Sequence, residues 1–357
     1  MNIKLEVLIR FFQLSFVDFK ATMTEEEQDT PQQESTTVIS VCLFIFMAAI
    51  VVTNAFVIGI LVIRKNLLKH HDLYIIALCT SQLFVGTFVI LSTVVQLHVI
   101  DVNLVWCTIA PFIELIAFTA CIFSLLGITL DRYCSIMHAL TYKPTLQRTI
   151  IKIMFIMIAA VVYSLRIFVQ FAITKESADD EIEESNETSH VNQEFNFCNL
   201  LTEDTAADLW FRVFDFFILF IAPIIIMAVM YFKIIQKLWA KNMVATGSTK
   251  SKRKAVILSV VCVSTFLLCW LPFYIIDIIH DSVQKTNIMD IDSKVYQAGR
   301  YVTIFFALSN SIINPITYGF LSKNFQKDVV ILKNQYCCRN NKVEDRNRPL
   351  QTLSKHL

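Results

Sequence analysis

The sequence predicts an all-α membrane protein whose seven long helices cross a bilayer as a bundle. Three observations lead there: seven apolar runs of spanning length, a composition far from that of a water-soluble chain, and charge distributed unevenly around the runs. The 357 residues are 55% hydrophobic and 17% charged, with 29 phenylalanines and a mean hydropathy of +0.57, well away from soluble averages. A spanning helix takes about 20 mostly apolar residues. Such runs lie near 38–63, 73–99, 107–130, 150–173, 209–232, 255–280 and 296–321. None fits the short alternating strands of an outer-membrane barrel. A large soluble helical protein is a poor alternative, because seven such runs are hard to cover with water-facing surface.

Charge orients the runs. Lys233, Lys237, Lys241, Lys250, Lys252, Arg253 and Lys254 follow the fifth run without an acid among them, and Arg64, Lys65 and Lys69 follow the first. Between runs four and five the sign reverses: Glu176, Asp179, Asp180, Glu181, Glu183, Glu184 and Glu187 stand against Lys175. Short loops rich in Lys and Arg stay in the cytoplasm. The loops after runs one, three and five are therefore inside, the N-terminal tail over 1–37 is outside, and the tail over 337–357 is inside. The first twenty residues mix Phe and Leu with Lys4, Glu6, Arg10, Asp18 and Lys20. That is a poor signal-peptide core, and Met23 is an alternative start. Residues 24–37 are polar and acidic and read as disordered.

The ten cysteines sort by compartment. Cys42, Cys79, Cys121, Cys134, Cys262 and Cys269 fall in or at the ends of runs, where thiols act as small apolar groups. Cys107 opens the third run on the outer side and Cys198 lies in the outer acidic loop; this extracellular pair predicts a disulfide. Cys337 and Cys338 follow the last run on the inner side, where S-palmitoylation is expected. Asn186-Glu187-Thr188 is a glycosylation sequon in the same outer loop.

Polar groups deep in apolar runs mark a pathway, a switch or a binding site. Asn314-Pro315-Ile316-Thr317-Tyr318 ends the seventh run, and Asp131-Arg132-Tyr133 ends the third. Cys107 and Arg132 are 25 residues apart, about 37 Å of helix, so one helix joins the outer cysteine to the inner edge. Alone, a charged pair at that edge is also an ordinary topological anchor. Helix six carries Phe266 and Cys269-Trp270-Leu271-Pro272; Pro272 removes a backbone hydrogen bond and kinks the helix. Trp270 and Phe266 share a face, as ordinary core rings also do.

Together with Asn54 and Val57 in helix one and Pro223 and Tyr231 in helix five, these motifs resemble a rhodopsin-like (class A) G-protein-coupled receptor over residues 38–338. The resemblance implies a short amphipathic eighth helix over 322–336, with Phe325 as its aromatic anchor. It implies that Asp131, Arg132, Tyr133, Tyr231, Phe266, Pro272, Asn314, Pro315 and Tyr318 form an activation switch. Tyr231 and Tyr318 are expected to approach Arg132 when the inner end opens, admitting a helix of a heterotrimeric G protein. Arrestin is a further expected partner, through phosphorylation of Thr352 and Ser354 in the tail or Ser248, Thr249 and Ser251 in the third inner loop.

The chain departs from the family pattern in places. Gln82 stands where helix two usually has an Asp that binds sodium, and Cys121 where a Ser commonly assists; little sodium sensitivity is expected. Lys252 and Arg253 open helix six where some members have an acid that restrains the helix-three arginine. That salt bridge cannot form, which allows raised basal activity. Val161 lies near the usual helix-four Trp, and Ala139 replaces a common Pro. Leu308 occupies the retinal-lysine position of opsins, so a photoreceptor is a poor reading.

Glu114 lies 18 residues, five turns, before Arg132, so both face the bundle interior. An acid there points to a cationic ligand group. Asp277, two turns beyond Trp270, and Asp215 could complete an acidic outer cavity, unless they pair with Arg166, Arg212 or Arg300 at similar depths. The expected ligand site is Glu114, Asp215, Asp277, Trp270 and Arg300. Asp215, Phe216 and Leu219 replace the small hydroxyl residues of catechol-type receptors, and Leu308 a common amine-receptor Tyr. Tyr231 to Trp239 resembles the fifth-helix end of peptide receptors. A short basic neuropeptide is therefore the preferred ligand, with a biogenic amine or ligand-independent orphan action as alternatives. No broken paired helices suggest a transporter, and no pore repeat a channel. No nucleophile or metal-ligand constellation suggests an enzyme. No cofactor, metal or nucleic-acid partner is expected.

Overall fold

The computed structural model describes residues 31–63, 69–96, 104–173, 206–240, 247–286, 293–322 and 325–334. The chain divides into two units, Met1–Phe44 and Ile45–Leu357. Within the first, residues 31–44 are helical, and the Ser40 hydroxyl donates to the Thr36 carbonyl at 2.8 Å. The expectation of disorder over 24–37 is thus corrected from Pro31 onward. A proline at the first helical position presets φ and gives up no needed donor.

Every described regular element is helical. In chain order, α1 is Pro31–Ile63, α2 His70–Gln96, α3 Leu104–Met137 and α4 Leu146–Ser164, which resumes over 166–173 after a turn at Leu165. Helix α5 is composite: Ala206–Asp215, a π-helical turn Phe216–Ile221, and Ala222–Ala240. Helices α6 and α7 are Gly247–Thr286 and Ser293–Leu321, and a short α8 covers 325–334. Among the described residues, seven helices are long and apolar enough to cross a membrane, including Ile109–Met137 and Leu209–Leu238. These two outrun their apolar runs because Asp131, Arg132, Lys233 and Lys237 end the hydropathy signal without ending the backbone ladder. Ser248, Thr249 and Ser251, expected in a loop, belong to the first turns of α6.

Burial is inverted relative to a water-soluble protein. Phe155 is 72% exposed and Leu268 68%, whereas Asn54, Gln82 and Asn310 are at most 1% exposed. Lipid suits the first group. In the second, Asn54 Nδ2 and Asn310 Oδ1 are hydrogen-bonded within the bundle, whereas the Gln82 amide has no hydrogen-bond partner among the described residues. Helix α3 is central, packing on α2, α4, α5 and α6, while α6 lies along α7. Gly127 permits one close approach: a Cβ there would stand 2.9 Å from the Tyr74 ring of α2 and 3.2 Å from Ile156 of α4.

Local chemistry sets the ends and bends. At the start of α2 the Lys69 N–H donates to Asp72 Oδ2 at 2.9 Å and the Asp72 N–H to the Lys69 carbonyl at 3.0 Å, a reciprocal cap. Thr145 caps α4, accepting from the Arg148 N–H at 3.3 Å. In α5 the Ala222 N–H reaches back five residues to the Phe217 carbonyl, just before Pro223, which has no N–H to give. In α7, Pro315 cannot donate to the Ser311 carbonyl four residues earlier. That carbonyl instead accepts from Asn54 Nδ2 of α1 at 2.9 Å. Finally, Phe325 of α8 is buried, with its ring 5.3 Å from Tyr318 and 6.2 Å from Phe56. Val330 and Ile331 remain exposed beside Lys327 and Lys333, an amphipathic arrangement.

Candidate functional site

At the inner end of α3, the buried Asp131 carboxylate accepts from the Tyr142 hydroxyl at 2.8 Å and has His70 Nε2 at 3.5 Å. Burial, with this carboxylate beside it, pushes the Tyr142 phenol well above its usual range. Among the described residues no carboxylate is within ion-pair distance of Arg132. Its side chain lines a cavity of about 40 Å³ together with Tyr231, Ser259, Cys262, Asn314 and Tyr318. Tyr231 Oη lies 3.0 Å from Thr129 Oγ1, and Tyr318 donates to Asp72 Oδ1 at 3.4 Å, with His71 Nε2 3.2 Å from the same oxygen. Both tyrosines border the Arg132 cavity but are held by other partners. Tyr133 is half-buried, its ring 6.3 Å from His138.

Above this, Asn314 links α6 and α7. Its Nδ2 donates to Asn310 Oδ1 at 3.2 Å, and its Oδ1 accepts from the Thr265 hydroxyl at 3.3 Å. Phe266 and Trp270 belong to an aromatic cluster spanning three helices. Phe118 of α3 is 4.6 Å from Trp270 and 6.1 Å from Phe266, and Phe220 of α5 is 5.8 Å from Phe266 and 5.2 Å from Tyr274. Pro272 sits inside a continuous α6, and Pro315 inside α7.

The outer acids divide. Asp215 pairs with Arg166 and accepts from the Tyr163 hydroxyl at 2.5 Å, tying α5 to the end of α4. Asp277 of α6 lies between Arg212 of α5, at 3.3 Å, and Arg300 of α7, at 3.6 Å. The internal pairing weighed from the sequence is thus present for both. Glu114 is different: its Oε2 accepts from the Ser92 hydroxyl at 3.4 Å, and among the described residues it makes no ion pair. The Cys107 side chain, Cys198, Asn186, Cys337, Cys338, Thr352 and Ser354 lie outside the described residues.

Residues 53–318 match the family model described as 7 transmembrane receptor (rhodopsin family). The chain belongs to the rhodopsin family of G-protein-coupled receptors. The receptor is 27% identical to a QRFP-like peptide receptor of Branchiostoma floridae, over 88% of this chain and 81% of the relative. It is 26% identical to a histamine H2 receptor of Cavia porcellus, over 84% and 80%, and 26% identical to a substance-P receptor of Aquarana catesbeiana, over 80% and 68%. This is a family of multi-pass signalling receptors, not of enzymes.

The sequence reading missed several parts of the site. Phe118 is four residues past Glu114 and fourteen, about four turns, before Arg132, so helical periodicity would have placed it on the same inward face. Tyr142 and His70 carry no such signal. One reaches Asp131 across a turn outside any helix, and the other from the start of a different helix.

Proposed function

We propose that the receptor lies in the plasma membrane with its N-terminus outside, binds an extracellular neuropeptide carrying a basic group, and activates heterotrimeric G proteins at its inner face. Glu114 carries the reading: an acid on the inward face of α3 that makes no ion pair among the described residues. An uncompensated carboxylate among helices is expensive, and a ligand ammonium or guanidinium would compensate it. Asp277 adds a second acceptor, at which a ligand cation can exchange with Arg212 or Arg300. Trp270 and Phe118 lie between these acids and the inner switch, where a ligand that prefers one ring packing shifts the population. In the open state Tyr231 and Tyr318 leave Thr129 and Asp72 for the neighbourhood of Arg132, and the cleft admits a G-protein helix. Arrestin is a further expected partner.

A receptor for a biogenic amine is the second reading. It is favoured by Glu114 and by the histamine receptor among the relatives. Against it, the Asp215 carboxylate is already engaged by Arg166 and Tyr163. Screening basic peptides and amines with a calcium or cAMP readout separates the two. For the agonist so found, E114Q or D277N lowers potency by about tenfold or more. Unchanged potency in both variants rejects this pocket.

A further inference from the structure

Helix α6 begins with cations, so it cannot offer Arg132 an acid, yet its inner end is tethered in another way. Arg253 Nη2 donates to the Leu238 carbonyl in the last turn of α5, at 2.8 Å. Lys237, one residue earlier on α5, donates through Nζ to the carbonyl of Met137, the last residue of α3, at 3.0 Å. The last four carbonyls of a helix have no intrahelical donor, and the negative end of the helix dipole lies there. A lysine or arginine from a neighbouring helix satisfies both needs at once.

We propose that Lys237 and Arg253 are positioning residues which hold the inner end of α6 to α3, through α5, in the resting receptor. The two bonds act in series. If α6 swings out alone, the Arg253 bond breaks; if α5 and α6 move together, the Lys237 bond breaks. Either route to an open inner cleft loses one charged hydrogen bond, so the pair takes over the restraint that an acid on α6 would give Arg132. Cations suit this task where the membrane meets the cytoplasm, because their long stems stay in apolar surroundings while the charged heads reach the carbonyls. The assignment rests on the opening motion described above, but not on the identity of the ligand.

The test uses the full chain in cells, at matched surface expression, with K237A, R253A, the double alanine variant, and the conservative K237R and R253K. Each alanine variant raises basal G-protein signalling roughly fivefold, the scale of one lost coupling of this kind. The conservative variants stay near the parent, since a donor remains. The double variant reaches at most the sum of the two single effects, well below their product, because each opening route breaks only one of the two bonds. Spin labels at the inner ends of α3 and α6 in the purified receptor report a larger population of long distances in both alanine variants. This distance measurement needs neither agonist nor G protein, so its result stands apart from that of the ligand assignment. Unchanged distance distributions in both alanine variants overturn the proposal, as does a double variant whose effect is the product of the two singles.

Discussion

Gln82 is fully buried in α2, and its side chain is a neutral amide. A neutral amide offers a cation a dipole where an aspartate would offer a full charge, and hard cations favour charged oxygen ligands. Exchanging sodium for choline at constant ionic strength should therefore leave agonist affinity within about twofold; a larger shift, with Q82A removing it, would show that sodium binds here after all. The chemistry of single residues was readable from spacing where one helix sufficed: Glu114 and Arg132 differ by whole turns and both turn inward. Partner choice between helices was not readable. Arg166, Arg212 and Arg300 sit at similar depths in the sequence, yet one meets Asp215 and the other two flank Asp277. Depth follows from counting residues, but the azimuth of one helix about another does not.

At the scale of elements, proline and its replacement partner belong together. Pro315 leaves the Ser311 carbonyl without its helical donor, and Asn54 from α1 supplies one. N54A therefore strands a buried carbonyl and should destabilise the bundle by about 1–3 kcal/mol. The check is the melting temperature of the detergent-purified receptor, and a melting temperature equal to the parent's would show that the tie contributes nothing. The proline was legible at once, and its acceptor follows from counting back four residues. The donor was not, because it lies 257 residues away in the chain. Helix ends show a related limit. Hydropathy stops at the first charge, whereas α3 and α5 continue through Asp131, Arg132, Lys233 and Lys237, because a backbone ladder does not depend on side-chain polarity and long charged side chains reach the membrane edge.

At the scale of the whole molecule, the proposed orientation, with the N-terminus outside, rests on the Lys- and Arg-rich short loops after the first and fifth helices. An epitope at the N-terminus should be stained on intact cells and one at the C-terminus only after permeabilisation. Both tags appearing on one side would contradict an odd number of crossings. Composition and hydropathy by themselves determined the membrane as solvent, the number of helices and their order, because each spanning segment must satisfy its own backbone in lipid and so announces itself locally. The motifs along those helices determined the receptor family. The tertiary structure alone decided which acids already hold arginines and which one does not, where Tyr231 and Tyr318 rest, and how cations on α5 and α6 reach the carbonyl ends of neighbouring helices. Those choices depend on angles and distances between helices. Such geometry comes from the packing of many small contacts spread over the chain, and no short stretch of residues encodes it.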